Sequence, residues 1–309
     1  MNAKTATRMP HLRELGEFLR ARRGALDPAD FGLVADGTRR RVSGLRREEV
    51  AERACISSDY YTRIEQGRLA PTGPVMEALI RALRLDEDQA EYAVSLLDHA
   101  AHAAAVPSVM ATRARKDRLR VRPQLQRLLD QLDRSPAMVL GPRTEILAWN
   151  PLAEEVYLRF SELPKKELNF VRLVFTEPRM REVFVDWQTV ARSCVAILRR
   201  EAAVNPDDPA LAELVGELTI ADRQFGRWWA ARNVARQDFG TKVLRHPVVG
   251  ELVFDWDIFR HASAPEQQLV LNLAEDGSET EKRLEVLLRA MVHERDEPDD
   301  ARKAGQNFS

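Results

Sequence analysis

Apolar side chains recur at helical spacing in five short stretches of the first hundred residues, with polar or glycine-containing breaks between them. In the first stretch Leu12, Leu15, Phe18 and Leu19 fall on one face and arginines on the other, which predicts an amphipathic helix over residues 12–26. The same spacing predicts the helices that follow, at residues 45–54, 57–66, 74–84 and 86–100. No strand pattern interrupts them, so residues 1–100 are expected to form an all-α, five-helix domain.

The pattern is lost in two further segments. Between residues 101 and 122, small side chains are followed by six basic residues within ten positions, so this segment is interpreted as a basic linker. The polar tail at residues 296–309 has too little apolar surface to join a core, and disorder is expected there.

The hydrophobic pattern of residues 123–295 mixes strands with helices. Residues 136–151 predict a hairpin of two short strands around Gly141-Pro142, and residues 241–259 and 267–275 predict further strand runs. Between and after the strands, helices are predicted at residues 151–160, 170–184, 187–203, 209–219, 222–236 and 278–294. Strands at both ends with helices inserted between them predict an α+β domain, in which helices cover a small antiparallel sheet.

Composition excludes several classes of protein. The chain of 309 residues is 44% hydrophobic, which is enough for two ordinary domains. Its two cysteines, Cys55 and Cys194, exclude a disulfide framework and favour a reducing, cytoplasmic location. There is no apolar run long enough to span a membrane and no apolar N-terminal segment, so neither a membrane span nor a secretory signal is expected.

Charge separates the two halves of the chain. Up to Arg122 there are 22 Lys and Arg against 17 Asp and Glu, whereas the remainder has 25 against 31. A basic front half and an acidic back half indicate that only the front half meets a polyanion.

The segment around Cys55-Ile56-Ser57 predicts two short helices joined by a tight turn, which is a helix-turn-helix. Val50, Ala51 and Ile64 can pack the two helices together, and Ala51 is small enough to let their axes cross closely. Ser57 is a good N-cap for the second helix, and Gly67 stands where a helix C-terminus favours glycine. A helix presented in this way fits the major groove of DNA with its N-terminal residues at the base edges.

The sequence from Gly44 to Leu85 resembles the Xre-type (lambda-repressor-like, Cro/C1) helix-turn-helix, and the resemblance covers residues 12–97. The matching residues are Leu45, Glu48, Glu49, Val50 and Ala51 in the opening, Ile56 and Ser57 in the turn, and Tyr60, Ile64, Glu65 and Gly67 at the close. One departure concerns the DNA contacts. Many members carry Thr-Gln after the first leucine, whereas this chain has Arg46-Arg47, so a glutamine-type base contact is not expected there.

The resemblance implies a set of DNA-binding residues. Ser57, Ser58, Asp59, Thr62 and Arg63 are the candidates that face the groove, and Arg46, Arg47, Tyr61 and Arg68 are the candidate phosphate contacts. Tyr60 is expected in the core, and Arg39, Arg40 and Arg41 are expected to add non-specific attraction to phosphates. The alternative is that these arginines are merely solvated surface residues.

Residues 123–275 resemble the MmyB-like ligand-binding domain, a PAS-like fold that follows this helix-turn-helix in actinobacterial regulators. The resemblance lies in residues 139–157, in the runs at residues 169–175 and 207–218, and in residues 240–257. Where the family usually has His-Asp before its closing strands, this chain has Arg232-Asn233, so the specificity of that position is expected to differ.

The second resemblance implies a small-molecule pocket and a fatty-acid-like ligand. The candidate lining residues are Trp149, Phe170, Trp187, Phe225 and Trp229, and the candidates for an anionic head group are Arg245 and His246. The alternatives are that the aromatic residues belong to the core and that Arg245 and His246 face solvent.

No enzyme motif stands out, so no catalytic residue, cofactor or metal is expected. His99 and His102 lie three positions apart on a helix, but no further ligand completes a metal site, and they are interpreted as surface residues.

The sequence therefore predicts a cytoplasmic, nucleoid-associated transcription regulator that binds a double-stranded DNA operator as a homodimer and has no membrane partner. Its second domain is expected to sense a small molecule and to mediate dimerisation, with the hinge in the linker. Two alternatives stay open: a second domain that serves only for dimerisation or for binding a protein partner, and an enzyme-like domain acting on a lipid or holding a redox cofactor.

Overall fold

The computed structural model describes residues 3–33, 44–102, 120–232, 239–261 and 264–296. The chain divides into two compact units, one made of residues 1–115 and 191–236, and the other of residues 116–190 and 237–309. Most of the predicted linker, residues 103–119, and the predicted tail from residue 297 onwards lie outside the described residues. The domain bounds 1–100, 101–122, 123–295 and 296–309 therefore stay predictions.

The helices are named in chain order. They are α1 (Ala3–Ala25), α2 (Arg47–Arg53), α3 (Ser58–Glu65), α4 (Gly73–Ala82), α5 (Glu87–His102), α6 (Pro123–Gln131), α7 (Pro151–Val156), α8 (Phe170–Thr176), α9 (Pro178–Val183), α10 (Trp187–Val204), α11 (Pro209–Ala221), α12 (Arg223–Ala231) and α13 (Glu279–Asp296). The strands are β1 (Ala137–Leu140), β2 (Ile146–Trp149), β3 (Phe239–His246), β4 (Gly250–His261) and β5 (Ala264–Leu273). Among the described residues, no helix is both long enough and apolar enough to cross a membrane.

The first unit begins with the five predicted helices, α1 to α5, and their all-α character is confirmed. Their apolar faces meet in one core that includes Phe18, Tyr61 and Leu79, each without exposed surface. The chain enters this unit a second time within α10, and α11 and α12 follow; Ala203 of α10 belongs to the same core. Part of the segment predicted for the second domain thus packs with the first unit.

Two glycines bring α1 and α3 into close contact. A Cβ at Gly16 would lie 2.8 Å from the carbonyl oxygen of Ile64, so only a residue without a side chain fits there. Gly67, just after α3, has a φ of +65°, and a Cβ on it would lie 2.7 Å from the Cα of Arg13. Glycine at both positions therefore lets α1 and α3 approach backbone to backbone.

The second unit contains a five-stranded sheet in the order β2-β1-β5-β4-β3, with neighbouring strands antiparallel. Leu129 of α6 packs with Val139 and Leu269 on one face. The other face carries Leu244 and Phe254, both without exposed surface, and Leu244 bridges to Phe184 after α9. The predicted α+β class is confirmed.

Two element predictions for this unit were too coarse. The run at residues 241–259 is not one strand, because the chain reverses after His246 and forms β3 and β4. The helix predicted at residues 170–184 is two helices, since Glu177 before Pro178 is extended, with φ −94° and ψ 115°. Proline disfavours the α conformation in the residue before it, which ends α8 at Thr176.

Candidate nucleic-acid interface

The turn between α2 and α3 is built by backbone hydrogen bonds and one side-chain cap. The N–H of Ile56 donates to the carbonyl of Ala51 at 3.0 Å, which closes the end of α2, and Cys55 adopts a left-handed φ of 54°. The hydroxyl of Ser57 then accepts from the N–H of Tyr60 at 3.1 Å and begins α3. The sequence prediction of a helix-turn-helix at this place is confirmed.

One face of α3 enters the core and the opposite face is open. Tyr61, Ile64 and Glu65 are buried. The outward positions form a stripe along the helix surface: Asp59, Thr62, Arg63 and, just after the helix, Gln66. Gln66 was not among the sequence-predicted residues, although its spacing of three and seven positions from Arg63 and Asp59 is the signal that could have found it.

The predicted groove-facing residues lie at the start and along the surface of α3. Ser57, Asp59 and Arg63 are exposed, and Ser58 and Thr62 are half-buried. Arg63 forms an ion pair of 3.0 Å with Asp59, and both side chains stay largely exposed, at 59% and 73%. An exposed pair of this kind contributes little to stability, about 0.3–0.5 kcal/mol, so Arg63 is free to change partners.

A buried carboxylate, Glu65, fixes α3 from inside. Arg23 of α1 donates through Nε to Glu65 Oε1 at 2.5 Å, and Arg47 at the start of α2 donates through Nε to Oε2 at 2.7 Å. Arg23 also donates to the carbonyl of Leu45 at 2.6 Å. These three residues, Arg23, Arg47 and Glu65, are called the Glu65 cluster below, and they join α1, α2 and α3.

The electrostatics of the cluster favour the charged carboxylate. Burial would raise the pKa of Glu65, but the hydrogen bonds from Arg23 and Arg47 and the charge of Arg23 outweigh it and lower this pKa below its ordinary value. The pKa of the neighbouring Tyr61 is raised by burial and by the Glu65 charge, so its phenol stays neutral. Glu65 is therefore ionised at neutral pH and binds both arginines.

The predicted phosphate contacts differ in their exposure to solvent. Arg46 and Arg68 are exposed, and Arg47 is 38% exposed although it belongs to the Glu65 cluster. The prediction for Tyr61 was wrong, because its side chain has no exposed surface and packs in the core. Tyr60 is half-buried against the same core, as expected.

Arg39, Arg40 and Arg41 lie outside the described residues, so their expected attraction to phosphates stays a prediction.

The predicted ligand-lining aromatics divide between the two units. Phe225 is buried and stacks on Trp229 in the first unit, with ring centroids 5.9 Å apart. In the second unit Trp149 packs edge-on against Phe160, and Trp187 packs against Phe175 and donates to the carbonyl of Val174 at 2.8 Å.

Phe170 packs on Tyr157 and Phe184 in the second unit. Each of the five predicted aromatics therefore packs against another aromatic side chain.

The two predicted head-group residues differ in burial and in their partners. Arg245 is exposed and pairs with Glu251 at 3.4 Å. His246 is buried, contrary to the alternative that it faces solvent, and its Nε2 lies 3.2 Å from the carbonyl of Glu155. Its Nδ1 accepts from the N–H groups of Val248 and Val249, so Nε2 carries the proton. This histidine fixes the turn between β3 and β4.

A cavity of about 420 Å³ lies elsewhere in the second unit, between α6, the turn after it, α7 and α13. Leu129, Leu132, Leu152, Leu288 and Met291 line it, with charged residues of the turn at its rim. None of the seven predicted ligand residues is among its lining residues.

Within the part of the chain that the structure describes, no group of three metal-ligating side chains occurs. The ring of His99 stacks on His11, with centroids 5.8 Å apart, and its Nδ1 lies 2.6 Å from the carbonyl of Ser95. The side chain of His102 lies outside the described residues.

Two family models match the chain. The MmyB-like transcription regulator ligand binding domain matches residues 121–287, more than half of the chain, and a helix-turn-helix domain matches residues 14–93. No curated protein matches the chain.

Proposed function

Because the chain belongs to the family of MmyB-like transcription regulators, with a helix-turn-helix domain before the ligand-binding domain, we propose that it binds a specific DNA operator through α3 and responds to a small molecule. The observation that carries this proposal is the open stripe of Asp59, Thr62, Arg63 and Gln66 on a helix whose other face is fixed in the core. A rigid helix with a polar outer face is what readout of the major groove requires.

The operator contacts divide into two kinds. Thr62, Arg63 and Gln66 on the stripe are proposed to read base edges, together with Ser57 and Ser58 at the start of α3. The exposed arginines Arg46 and Arg68, together with the open part of Arg47, are proposed to bind phosphates, which position the protein without reading sequence.

A single α3 offers few base contacts, so the proposed DNA-binding form is a homodimer on two half-sites. Half-sites of helix-turn-helix dimers lie about 34–36 Å apart, one turn of DNA. The proposed location is the cytoplasm, with the protein bound to the nucleoid.

The test begins with the full-length protein and selection of bound sequences from a pool of random DNA duplexes. On the selected site, Arg63→Ala is expected to cost about 1–3 kcal/mol of binding and to relax the sequence at one position of each half-site. Arg68→Ala is expected to weaken binding to all sequences alike and to lower the salt dependence by about one counterion.

Arg289→Ala is the matched control, because Arg289 on α13 is also in an exposed ion pair with a carboxylate four positions away. If Arg63→Ala and Arg289→Ala bind the selected site equally well, α3 is not the reading helix. A footprint of one half-site would contradict the dimer.

For the effector, the family supports a small molecule, and the resemblance stated above suggests a fatty-acid-like one. The cavity beside Met291 is the proposed binding place, since its lining is mainly apolar. The alternative is a domain used only for dimerisation or for a protein partner, and it is supported by the packing of Trp149, Phe170 and Trp187 against other aromatic side chains.

Mass spectrometry of an organic extract from the full-length protein distinguishes a ligand-binding domain from one that serves only for dimerisation or for a protein partner. Met291→Trp should fill the cavity and abolish a co-purifying acyl species, whereas Val286→Trp places the same side chain at an exposed position of α13 outside the lining and should retain it. An extract without any stoichiometric small molecule, together with no binding of added decanoate, would favour the alternative.

A further inference from the structure

Residues 191–232 belong to the matched ligand-binding model by sequence but to the first unit by contact. The carbonyl of Val204 lies 3.4 Å from Nε2 of His11, and Arg200 pairs with Glu91 of α5 at 3.3 Å. Arg22 of α1 donates to the carbonyl of Ala231 at 2.8 Å. Helices α10 and α12 are thus attached to α1 and α5 of the helix-turn-helix domain.

The centre of this attachment is the carboxylate of Glu14 on α1. Tyr92 of α5 donates to it at 3.0 Å, and Arg199 of α10 lies 3.3 Å from it. Arg232, just after α12, donates to Glu14 and also to Glu17 on the next turn of α1. These residues, Glu14, Glu17, Tyr92, Arg199 and Arg232, are called the Glu14 cluster.

The side chain of Arg199 is buried within this contact. It is 2% exposed, and its guanidinium lies 3.5 Å from the ring centre of Trp229, which in turn stacks on Phe225. Arg199 also donates to the carbonyl of Trp229. Burying a charged group is costly unless it is paired, so the arrangement is stable only while α10 and α12 stay against α1.

Burial would raise the pKa of Glu14, but the charges of Arg199 and Arg232 lower it, so this carboxylate is ionised at neutral pH.

The same helix α1 supports α3. Gly16 contacts the backbone at the end of α3, and Glu14 is two positions away, so the two lie on opposite faces of α1. Helix α1 therefore lies between the recognition helix and the attached helices α10 and α12.

We propose that α10–α12 with Arg232 form a docked regulatory segment, which holds α1, and through it α3, in the arrangement that binds DNA; release of the segment lowers operator affinity. The docked form leaves the outer stripe of α3 open, which makes it the DNA-competent state. An effector acts on DNA binding if it binds the docked and released forms with different affinity.

This proposal rests on the proposed DNA-binding function. It assigns a role to Arg232, the residue at which the chain departs from the usual His-Asp pair of its family.

The test uses the full-length protein with Arg232→Ala, Arg232→Lys and Arg227→Ala. Arg227 is an exposed arginine of α12, close to Arg232 along the chain, and serves as the matched control. Two quantities are measured: affinity for the selected DNA site, and hydrogen exchange of the amides of α1, α3, α10 and α12.

Arg232→Ala is expected to lower DNA affinity by about 5- to 150-fold, the usual range of coupling between sites, and to speed exchange in α10, α12 and α1. Arg232→Lys should fall between Ala and wild type, because lysine keeps the charge but loses the two-pronged geometry. Arg227→Ala should match wild type in both measurements.

The proposal is overturned if Arg232→Ala speeds exchange in α10 and α12 but leaves DNA affinity and α3 exchange unchanged. It is equally overturned if exchange does not change at all, since the segment is then not held by this contact. If the wild-type protein binds no selected DNA, the proposed function fails, and exchange in α3 alone decides whether the segment is coupled to the recognition helix.

Discussion

The Glu65 cluster and the Glu14 cluster of the first unit have the same chemistry, a glutamate bound by two arginines. They differ in the sequence separation of their members and in the exposure of the carboxylate. The Glu65 cluster joins residues 42 and 18 positions apart along the chain, and its carboxylate side chain is 1% exposed. The Glu14 cluster joins residues 185 and 218 positions apart, and its carboxylate is 14% exposed.

This difference separates a structural role from a regulatory one. The buried carboxylate of Glu65 cannot leave its arginines without becoming an unpaired charge in the interior, so the Glu65 cluster fixes α3 within the helical core. The Glu14 cluster joins α1 to α10 and to the end of α12, which lie 185 and 218 positions away along the chain, so it opens when these helices move away and its groups then meet water. The first therefore specifies the recognition helix, and the second can report on another part of the chain.

The largest effect is expected from Glu65→Ala. It leaves the buried charge of Arg23 without a carboxylate, and breaking a buried ion pair in this way typically costs about 3–5 kcal/mol. Native-state hydrogen exchange of the α3 amides should show this loss as a lower free energy of opening, and DNA binding should fall with it.

Glu52→Ala removes an exposed carboxylate from α2 and is the control, with an effect close to zero expected. Should Glu65→Ala leave the α3 amides as protected as Glu52→Ala does, the Glu65 cluster does not fix α3.

Glu14→Gln should have a smaller effect on stability but a wider one across the chain. The amide can still accept from Tyr92, so the loss is that of charge-assisted hydrogen bonds, about 1.5–3 kcal/mol. Faster exchange is expected in α10 and α12 as well as in α1, whereas Glu65→Ala should act chiefly on α1, α2 and α3. Identical exchange patterns in the two variants would remove the distinction between the clusters.

The buried position of Glu65 could be predicted from sequence, whereas its two arginine partners and the Glu14 cluster could not. Glu65 stands within the helix-turn-helix pattern, and helical spacing places it on the same face as Tyr61 and Ile64. Periodicity identified Arg199 and Arg232 only as arginines on helices, because nothing local tells which distant carboxylate an arginine pairs with.

The misread residues have different causes. Tyr61 lies three positions before Ile64 and four before Glu65, so helical spacing places it on the buried face, and its assignment as a phosphate contact came from the resemblance alone. The aromatic residues of the second half were predicted to line a pocket, but composition does not tell which side chain each one packs against: Trp149 packs on Phe160 and Trp187 on Phe175. The break at Pro178, in contrast, was readable from the backbone preference of the residue before proline.

Gly16→Ala adds one methyl group and tests the close contact between α1 and α3. The added Cβ would meet the backbone of α3, and overpacking of this kind costs about 1–3 kcal/mol. Gly24→Ala on the same helix meets nothing within 4 Å and should be neutral or stabilising by about 0.5–1 kcal/mol. Thermal unfolding of the two variants should therefore shift in opposite directions, and equal shifts would mean that α1 and α3 are not in close contact.

The smallest effect concerns pH and His11, which lies next to the attached segment. Burial lowers the pKa of His11 from its ordinary value of 6.5, and the nearby His99 lowers it further, while the carbonyl of Val204 and the charge of Asp207 raise it. The unfolded chain then binds the proton more readily than the folded one, so stability is full above pH 6.5 and falls as pH drops below it.

Between pH 8 and pH 5, wild-type protein should lose protection of the α1 and α10 amides, and His11→Gln should lose less, whereas His293→Gln, at an exposed position of α13, should behave as wild type. Because the pKa values of Glu14 and Glu65 are lowered from 4.5, both carboxylates stay charged through this range and the slope belongs to histidine. An unchanged slope in His11→Gln would mean that the contact of His11 with α10 does not depend on its protonation, and the attachment of the segment would then rest on its other contacts, the Glu14 cluster among them.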